Sequence, residues 1–280
     1  MSHLFLEIDV FATGPLSGNP LAVVAGAEDL SDEQMGRIAA WTNFSETTFL
    51  LSPTDPEADY RVRIFTRTTE YPFAGHPTLG SARAWLHLGG TPRTPGRLVQ
   101  ECAAGLVPVR QQGDLLAFAT PPLHRSGPMP ETDVQRIAAA LRIPRERIVD
   151  QAWGVNGPEW RLVQLRDAEA VRALRPVPDR GDLRIGVVGL EPAGSEIAYE
   201  VRAFGGSYED PVTGSLNGAL AQWLRGRGEV PQAYLAVQGS QVGRAGRIHV
   251  SDDGSDIWIG GSARVVVDGA LNFDAADQLS

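Results

Sequence analysis

Two stretches of this 280-residue chain carry the same pattern at an offset of 139 residues. Residues 63–82 read Arg63-x-Phe65, then Glu70-x-Pro72-x-x-Gly75, then a helical pattern through Ala82. Residues 202–221 read Arg202-x-Phe204, then Glu209-x-Pro211-x-x-Gly214, then a helical pattern through Ala221. Strand–turn–helix joints share Pro and Gly for local reasons. Six ungapped identities at almost half the chain length exceed that, and fixed-offset self-similarity marks a duplication. Two fused copies are expected to form two similar lobes, with equivalent motifs facing each other across a cleft.

Around the repeat, short β-branched or aromatic runs alternate with a few helical patterns, which predicts an α+β chain. Strands are expected at 3–11, 20–25, 47–52, 60–66, 106–110, 115–120, 160–165, 197–204, 233–238, 246–251, 256–260 and 264–268. Helices are expected at 31–41, opened by Ser31 with Gln34 in capping-box spacing, and at 132–141, opened by Thr132. Two more start just after glycines, at 77–88 and 215–226.

Composition removes several kinds of chemistry. All 25 basic residues are Arg, which excludes lysine Schiff bases, lysine-anchored pyridoxal phosphate and the P-loop lysine. A formal charge of −9 argues against a nucleic-acid partner, which demands clustered basic surface. The single cysteine, Cys102, permits no intrachain disulfide and reads as a small buried hydrophobe. The first residues meet charges too early for a signal peptide, and no apolar run reaches membrane-spanning length, so a cytoplasmic protein without a membrane partner is expected.

The two motifs suggest where a ligand would sit. Each ends a strand, turns through Pro and Gly, and begins a helix, whose N-terminus offers unpaired N–H groups and partial positive charge. Two such termini would cradle a small anionic substrate. The copies differ at the turn: His76 follows Gly75, Ser215 follows Gly214, and Asp210 stands where the first copy has Tyr71. That divergence suggests division of labour, although helix N-caps alone would account for Ser and Asp. A hydrolase triad of Ser215, His76 and Asp210 lacks its nucleophile elbow, because Thr213 occupies the first glycine position. The five histidines show no metal-ligand spacing and no GxGxxG follows a strand, so neither metal nor dinucleotide cofactor is expected. Glu46, within Asn43-Phe44-Ser45-Glu46-Thr47, is by residue type a surface residue and by its aromatic setting a desolvated acid/base.

These segments together resemble the phenazine-biosynthesis PhzF-like isomerase family. The resemblance is carried by Phe11, Gly18-Asn19-Pro20-Leu21-Ala22-Val23-Val24, Asn43-Phe44-Ser45-Glu46-Thr47, Gly75-His76-Pro77-Thr78 and Glu209-Asp210-Pro211-x-Thr213-Gly214-Ser215. Gln238-Gly239, Gly243-Arg244 and Gly260-Gly261-Ser262-Ala263 resemble its C-terminal blocks, so the match runs in order from about residue 5 to residue 273. It implies a diaminopimelate epimerase-like fold: two lobes, each a β-barrel-like sheet wrapped around a central helix. The implied bounds are 1–120, with 269–280 returning, and 121–268.

The resemblance further implies a cofactor-independent, metal-free isomerase, commonly a homodimer. Glu46 would be the acid/base that moves a proton on a small carboxylate-bearing substrate. His76 and Asp210 would assist, with Ser45, Gly75, Gly214 and Ser215 binding the substrate. Burial would raise the Glu46 pKa and so help it exchange a proton near neutrality. Related two-cysteine epimerases place a thiol before each motif glycine; Ala74 and Thr213 stand there, so that mechanism is absent. Arg67, where the family usually has Pro, and Phe204-Gly205-Gly206-Ser207-Tyr208 depart from the pattern and point to a secondary metabolite other than the founding member's substrate. A racemase or hydrolase, or a non-catalytic small-molecule binding protein, would use the same features.

Overall fold

The computed structural model describes residues 2–272. Two units divide it: Met1–Ala119 with the segment from Gly260 onward, and Thr120–Ile259. The return to the first unit thus begins at Gly260 rather than at 269, because one long strand replaces the two expected at 256–260 and 264–268. Of the expected returning segment 269–280, residues 273–280 lie outside the described residues.

The first unit contains β1 (Ser2–Val10), β2 (Asn19–Ala25), α1 (Asp32–Thr42), β3 (Thr47–Leu51), β4 (Tyr60–Phe65), β5 (Glu70–Tyr71), α2 (Gly75–His87), β6 (Arg97–Cys102), β7 (Gly105–Gln112) and β8 (Leu115–Ala119). The second contains α3 (Glu131–Leu141), β9 (Asp150–Val155), β10 (Glu159–Gln164), α4 (Ala168–Arg172), β11 (Arg184–Leu190), β12 (Ile197–Gly205), β13 (Tyr208–Asp210), α5 (Gly214–Gly226), β14 (Ala233–Gln238) and β15 (Gly246–Asp252). The final strand, β16 (Ile257–Asn272), supplies the returning segment.

In the first unit the order β1-β2-β3-β4-β6-β7-β8-β16 closes on itself, because β16 also pairs antiparallel with β1, from Ala263 on Val10 to Asn272 on Ser2. Closure leaves no edge along this ring of eight strands. Helix α2 packs against β1, β2 and β8, and nine of its residues, Gly75 to Ala82 and Ala84, are buried. Such a helix needs small and polar residues where it meets the strands. Ser81 accordingly donates to Thr48 at 2.9 Å, and Gln100 donates to Thr78 at 3.1 Å. Phe11, held at φ 63°, lies over Gly261, where a Cβ would stand 2.5 Å from its ring; this close approach accounts for both motif residues.

Helix α1 covers the same sheet with a separate cluster of Met35, Ile38, Ala39, Phe49, Leu51 and Phe65. Its start is as the spacing requires: Ser31 Oγ accepts from Gln34 N–H, and Gln34 Oε1 accepts from Ser31 N–H. Asn43 ends it in the left-handed region, at φ 60°.

The second unit runs β9-β10-β11-β12-β14-β15, with α5 against β9 and β10. Strand β11 was not expected from its sequence, because Gly186 and Gly189 weaken a β pattern. Both glycines mark close approaches. A Cβ on Gly186 would lie 2.2 Å from Leu216 of α5, and one on Gly189 would lie 2.1 Å from the backbone oxygen of Asp167. Helix α3 begins at Glu131 behind Pro130, so Thr132 sits inside the first turn instead of capping it. Among the described residues, no helix is long and apolar enough to cross a membrane.

The Arg, Phe and Glu of the repeat make the same contacts in both copies. Arg63 donates through Nε and Nη2 to the two Glu70 oxygens at 2.8 and 2.7 Å, and Arg202 does the same to Glu209 at 2.8 and 2.7 Å. Each guanidinium also lies over the repeat phenylalanine, Arg63 at 5.0 Å from the Phe65 centroid and Arg202 at 4.9 Å from that of Phe204. These forks pin β5 to β4 and β13 to β12, and so fix the turn that launches α2 or α5.

Candidate active site

In the first unit the motifs converge. The chain leaves α1 through Asn43 and reaches β3 at Thr47, which places Ser45 and Glu46 in the intervening loop. Helix α2 begins at Gly75, with Ala74 as its N-cap and no side chain capping it. That geometry brings His76 Nδ1 to 3.6 Å from Glu46 Oε2, with the two side chains only 5% and 15% exposed. The separation exceeds a hydrogen bond but lies within ion-pair reach. The Ser45 hydroxyl is buried without a hydrogen-bond partner among the described residues. Glu46 is thus largely withdrawn from water, contrary to the surface reading of its residue type.

In the second unit, α5 begins at Gly214 with Thr213 as N-cap, again without a side-chain cap. Asp210 and Ser215 are therefore not N-caps. Asp210 Oδ2 accepts the Thr213 hydroxyl at 2.5 Å, on the last residue of β13. Gln238 holds this turn: its Oε1 accepts from Thr213 N–H and from the Asn217 amide, both at 3.0 Å. Its Nε2 donates to the Asp210 backbone oxygen and to Thr213 Oγ1, both at 3.0 Å. Asn217 Oδ1 also accepts the Tyr199 hydroxyl at 3.1 Å. Ser215 Oγ accepts from the Trp160 indole at 3.1 Å, and its backbone oxygen accepts from the Asn156 amide at 2.8 Å. An indole N–H cannot take a proton from serine, so this contact positions Ser215 rather than activating it.

Glu46, His76, Ser45 and Gly75 are thus grouped in one unit, and Asp210, Gly214 and Ser215 in the other. Sequence reasoning assigned no role to Gln238, Asn217, Trp160 or Asn156. The Gln238-Gly239 pair was a usable signal, since a glutamine at a strand end before a glycine can serve a neighbouring turn. Trp160 and Asn156 carried none. Among the described residues, no cluster of three or more His, Cys, Asp or Glu side chains is placed to hold a metal ion.

Comparison with known proteins identifies the family and matches the fold. The family model for phenazine biosynthesis-like proteins, PhzC-PhzF, matches residues 8–269. The trans-2,3-dihydro-3-hydroxyanthranilate isomerase of Pseudomonas aeruginosa is 35% identical over 269 residues, covering 90% of this chain and 91% of its own. Antisense-enhancing sequence 1 of Schizosaccharomyces pombe is 34% identical over 292 residues, covering 95% and 98%. Among solved structures, the Bacillus anthracis phenazine biosynthesis protein of the PhzF family superposes with a TM-score of 0.82 at 22% identity, covering 98% of this chain and 100% of that one.

Proposed function

Since this chain belongs to the phenazine biosynthesis-like protein family of isomerases, we propose that it is a cofactor-independent isomerase that relocates a proton on a small carboxylate-bearing substrate. The observation that carries the reading is the pairing of Glu46 with His76, both withdrawn from water, at the start of a helix that no side chain caps.

Glu46 is the acid/base. Its carboxylate removes a proton from one carbon, the electron pair shifts along the substrate, and the same group returns a proton at another carbon. No net oxidation occurs, so an acid/base of matched pKa is the essential group. His76 accompanies Glu46 and answers its change of charge. The N–H groups of Gly75 and His76, with the partial positive charge of the helix end, stabilise negative charge that develops on the substrate. Ser45 donates to the substrate through its buried hydroxyl. In the second unit, Thr213 and Gln238 keep the Asp210 carboxylate in position, and the uncapped helix start at Gly214–Ser215 offers N–H groups suited to an anion. The departures at Arg67 and Gly205-Gly206 favour a substrate other than the one named for the Pseudomonas relative.

The test is proton exchange. Trans-2,3-dihydro-3-hydroxyanthranilate and a panel of related unsaturated carboxylates are incubated with the protein in heavy water and followed by NMR. One of them is expected to be isomerised with deuterium gained from solvent. Glu46→Gln keeps the shape but not the exchangeable proton, so it lowers that rate by about two orders of magnitude or more with little change in binding. Full activity in Glu46→Gln would overturn the mechanism.

A further inference from the structure

A pocket of about 590 Å³ opens in the second unit where α3 ends, the loop to β9 begins and α4 follows β10. None of its lining residues, which fall between Leu141 and Arg175, belongs to either motif or to the groups assigned above. Its volume falls within the range of small-molecule sites.

The pocket has two chemical halves. Its floor is core: Leu141, Leu165 and Leu174 line it and are themselves buried in the hydrophobic cluster of this unit. Val149 extends the apolar surface outward and is 63% exposed. The rim is cationic, formed by Arg142, Arg147, Arg166 and Arg175, with Glu146 as its one acidic member. Asp167 pairs with Arg166 at 2.7 Å, so an excess of two positive charges remains. Arg142 and Arg147 make no ion pair with a carboxylate among the described residues. Arg175 is anchored through Nη1 to the backbone oxygens of Arg172 and Leu174, at 3.1 and 2.8 Å. These bonds occupy carbonyls at and just after the C-terminal end of α4 and use Nη1 alone, so Nε and Nη2 make no hydrogen bond among the described residues. In a chain of net charge −9, this concentration of arginine is a local reversal of sign.

From the apolar floor and the arginine rim we infer that this pocket binds a small anionic amphiphile: a molecule with an apolar body and one carboxylate or phosphate head. The body packs over the half-buried Ile143 and Ala170 and covers Val149, whose exposed surface it removes from water. The head meets the guanidinium groups, whose planar donors match both carboxylate and phosphate. A neutral or cationic amphiphile would satisfy the floor and leave the rim unanswered.

Decanoate is the first probe, with decyl phosphate, 1-decanol, decyltrimethylammonium and inorganic phosphate beside it, each titrated into the full-length protein by calorimetry. Decanoate and decyl phosphate are expected to bind one per chain, and the other three at least about tenfold more weakly. A preference between the two acids supports the site and identifies its head group. The double variant Arg142→Glu with Arg147→Glu should lose about tenfold or more in affinity for the preferred acid. Arg264→Glu, an exposed site in the first unit, should leave it unchanged. Val149→Asp, at a side chain that the fold already exposes, should weaken binding even if the double variant folds poorly. Unchanged affinity in folded Arg142→Glu/Arg147→Glu, or decanol binding as tightly as decanoate, would overturn the assignment.

Discussion

Arg202 holds Glu209 through two parallel hydrogen bonds of 2.8 and 2.7 Å, the same fork, to the tenth of an ångström, that Arg63 makes with Glu70. The settings differ. Side chains of the Arg202–Glu209 pair are 5% and 12% exposed, against 25% and 35% for Arg63–Glu70. Breaking a buried pair strands a charge in low dielectric, whereas an open pair is screened by water. Glu209→Gln should therefore cost about 3 kcal/mol or more. Glu70→Gln should cost about 1 kcal/mol or less. Urea unfolding of the two variants measures the difference, and equal losses would contradict it.

Two glycines should respond to alanine with opposite signs. At Gly189 the new Cβ would press on the Asp167 backbone, which cannot turn aside as a side chain can. A loss of about 2–3 kcal/mol is expected, at the upper end for overpacking. At Gly36, inside α1, nothing lies within 4 Å of the added Cβ. Alanine there should stabilise by roughly 0.5–1 kcal/mol through helix propensity. Thermal melts of the two variants should move in opposite directions.

Stability should also fall on mild acidification through His249. Burial, reinforced by the neighbouring Arg247, pushes this imidazole below its ordinary value of 6.5. The unfolded chain then binds a proton at pH values where the folded chain does not. The stabilisation is present above the unfolded value and declines as pH falls from about 6.5 through the depressed folded value. His249→Asn should flatten that part of the stability–pH curve, as read from urea midpoints between about pH 7.5 and 5.

Cys102 should react slowly with thiol reagents. The side chain is buried, and desolvation raises its pKa above the ordinary thiol value, so little thiolate is present near neutrality. Labelling by an aromatic disulfide should speed up sharply in denaturant. Rapid labelling of the native protein would show that the β6 end opens readily.

Much of this was legible in the amino-acid sequence because the repeat residues act locally. Arg, Phe, Glu, Pro and Gly of each copy lie within thirteen residues and build one fork and one turn, so their spacing survives without gaps. The next layer of equivalence is present but hidden. Tyr60 and Tyr199 share the 139-residue offset, and Thr78 and Asn217 do as well with a change of residue type. Gln100 and Gln238, which tie those helix positions to parallel-paired strands, are 138 residues apart, so one deleted residue breaks the register. Strands β9 and β11 were missed for another reason. Their glycines are set by what packs on them, Leu162 and Ala219 at Gly154 and Leu216 at Gly186, and no local pattern reports that. At the candidate site, residue type placed Glu46 in water, and only tertiary burial withdraws it.

The ring of strands in the first unit ends on β16, whose residues pair with β1 as far as Asn272 on Ser2. A growing chain therefore releases β1 to β8 well before the strand that seals them exists. At roughly 5–20 residues per second, the segment Thr120–Ile259 takes on the order of ten seconds to emerge. Throughout that interval β1 and β8 each present an unsatisfied row of backbone donors and acceptors, the condition under which nascent chains cross-pair or recruit chaperones. Synthesis order is thus inverted at closure: the half of the molecule made first is the half completed last.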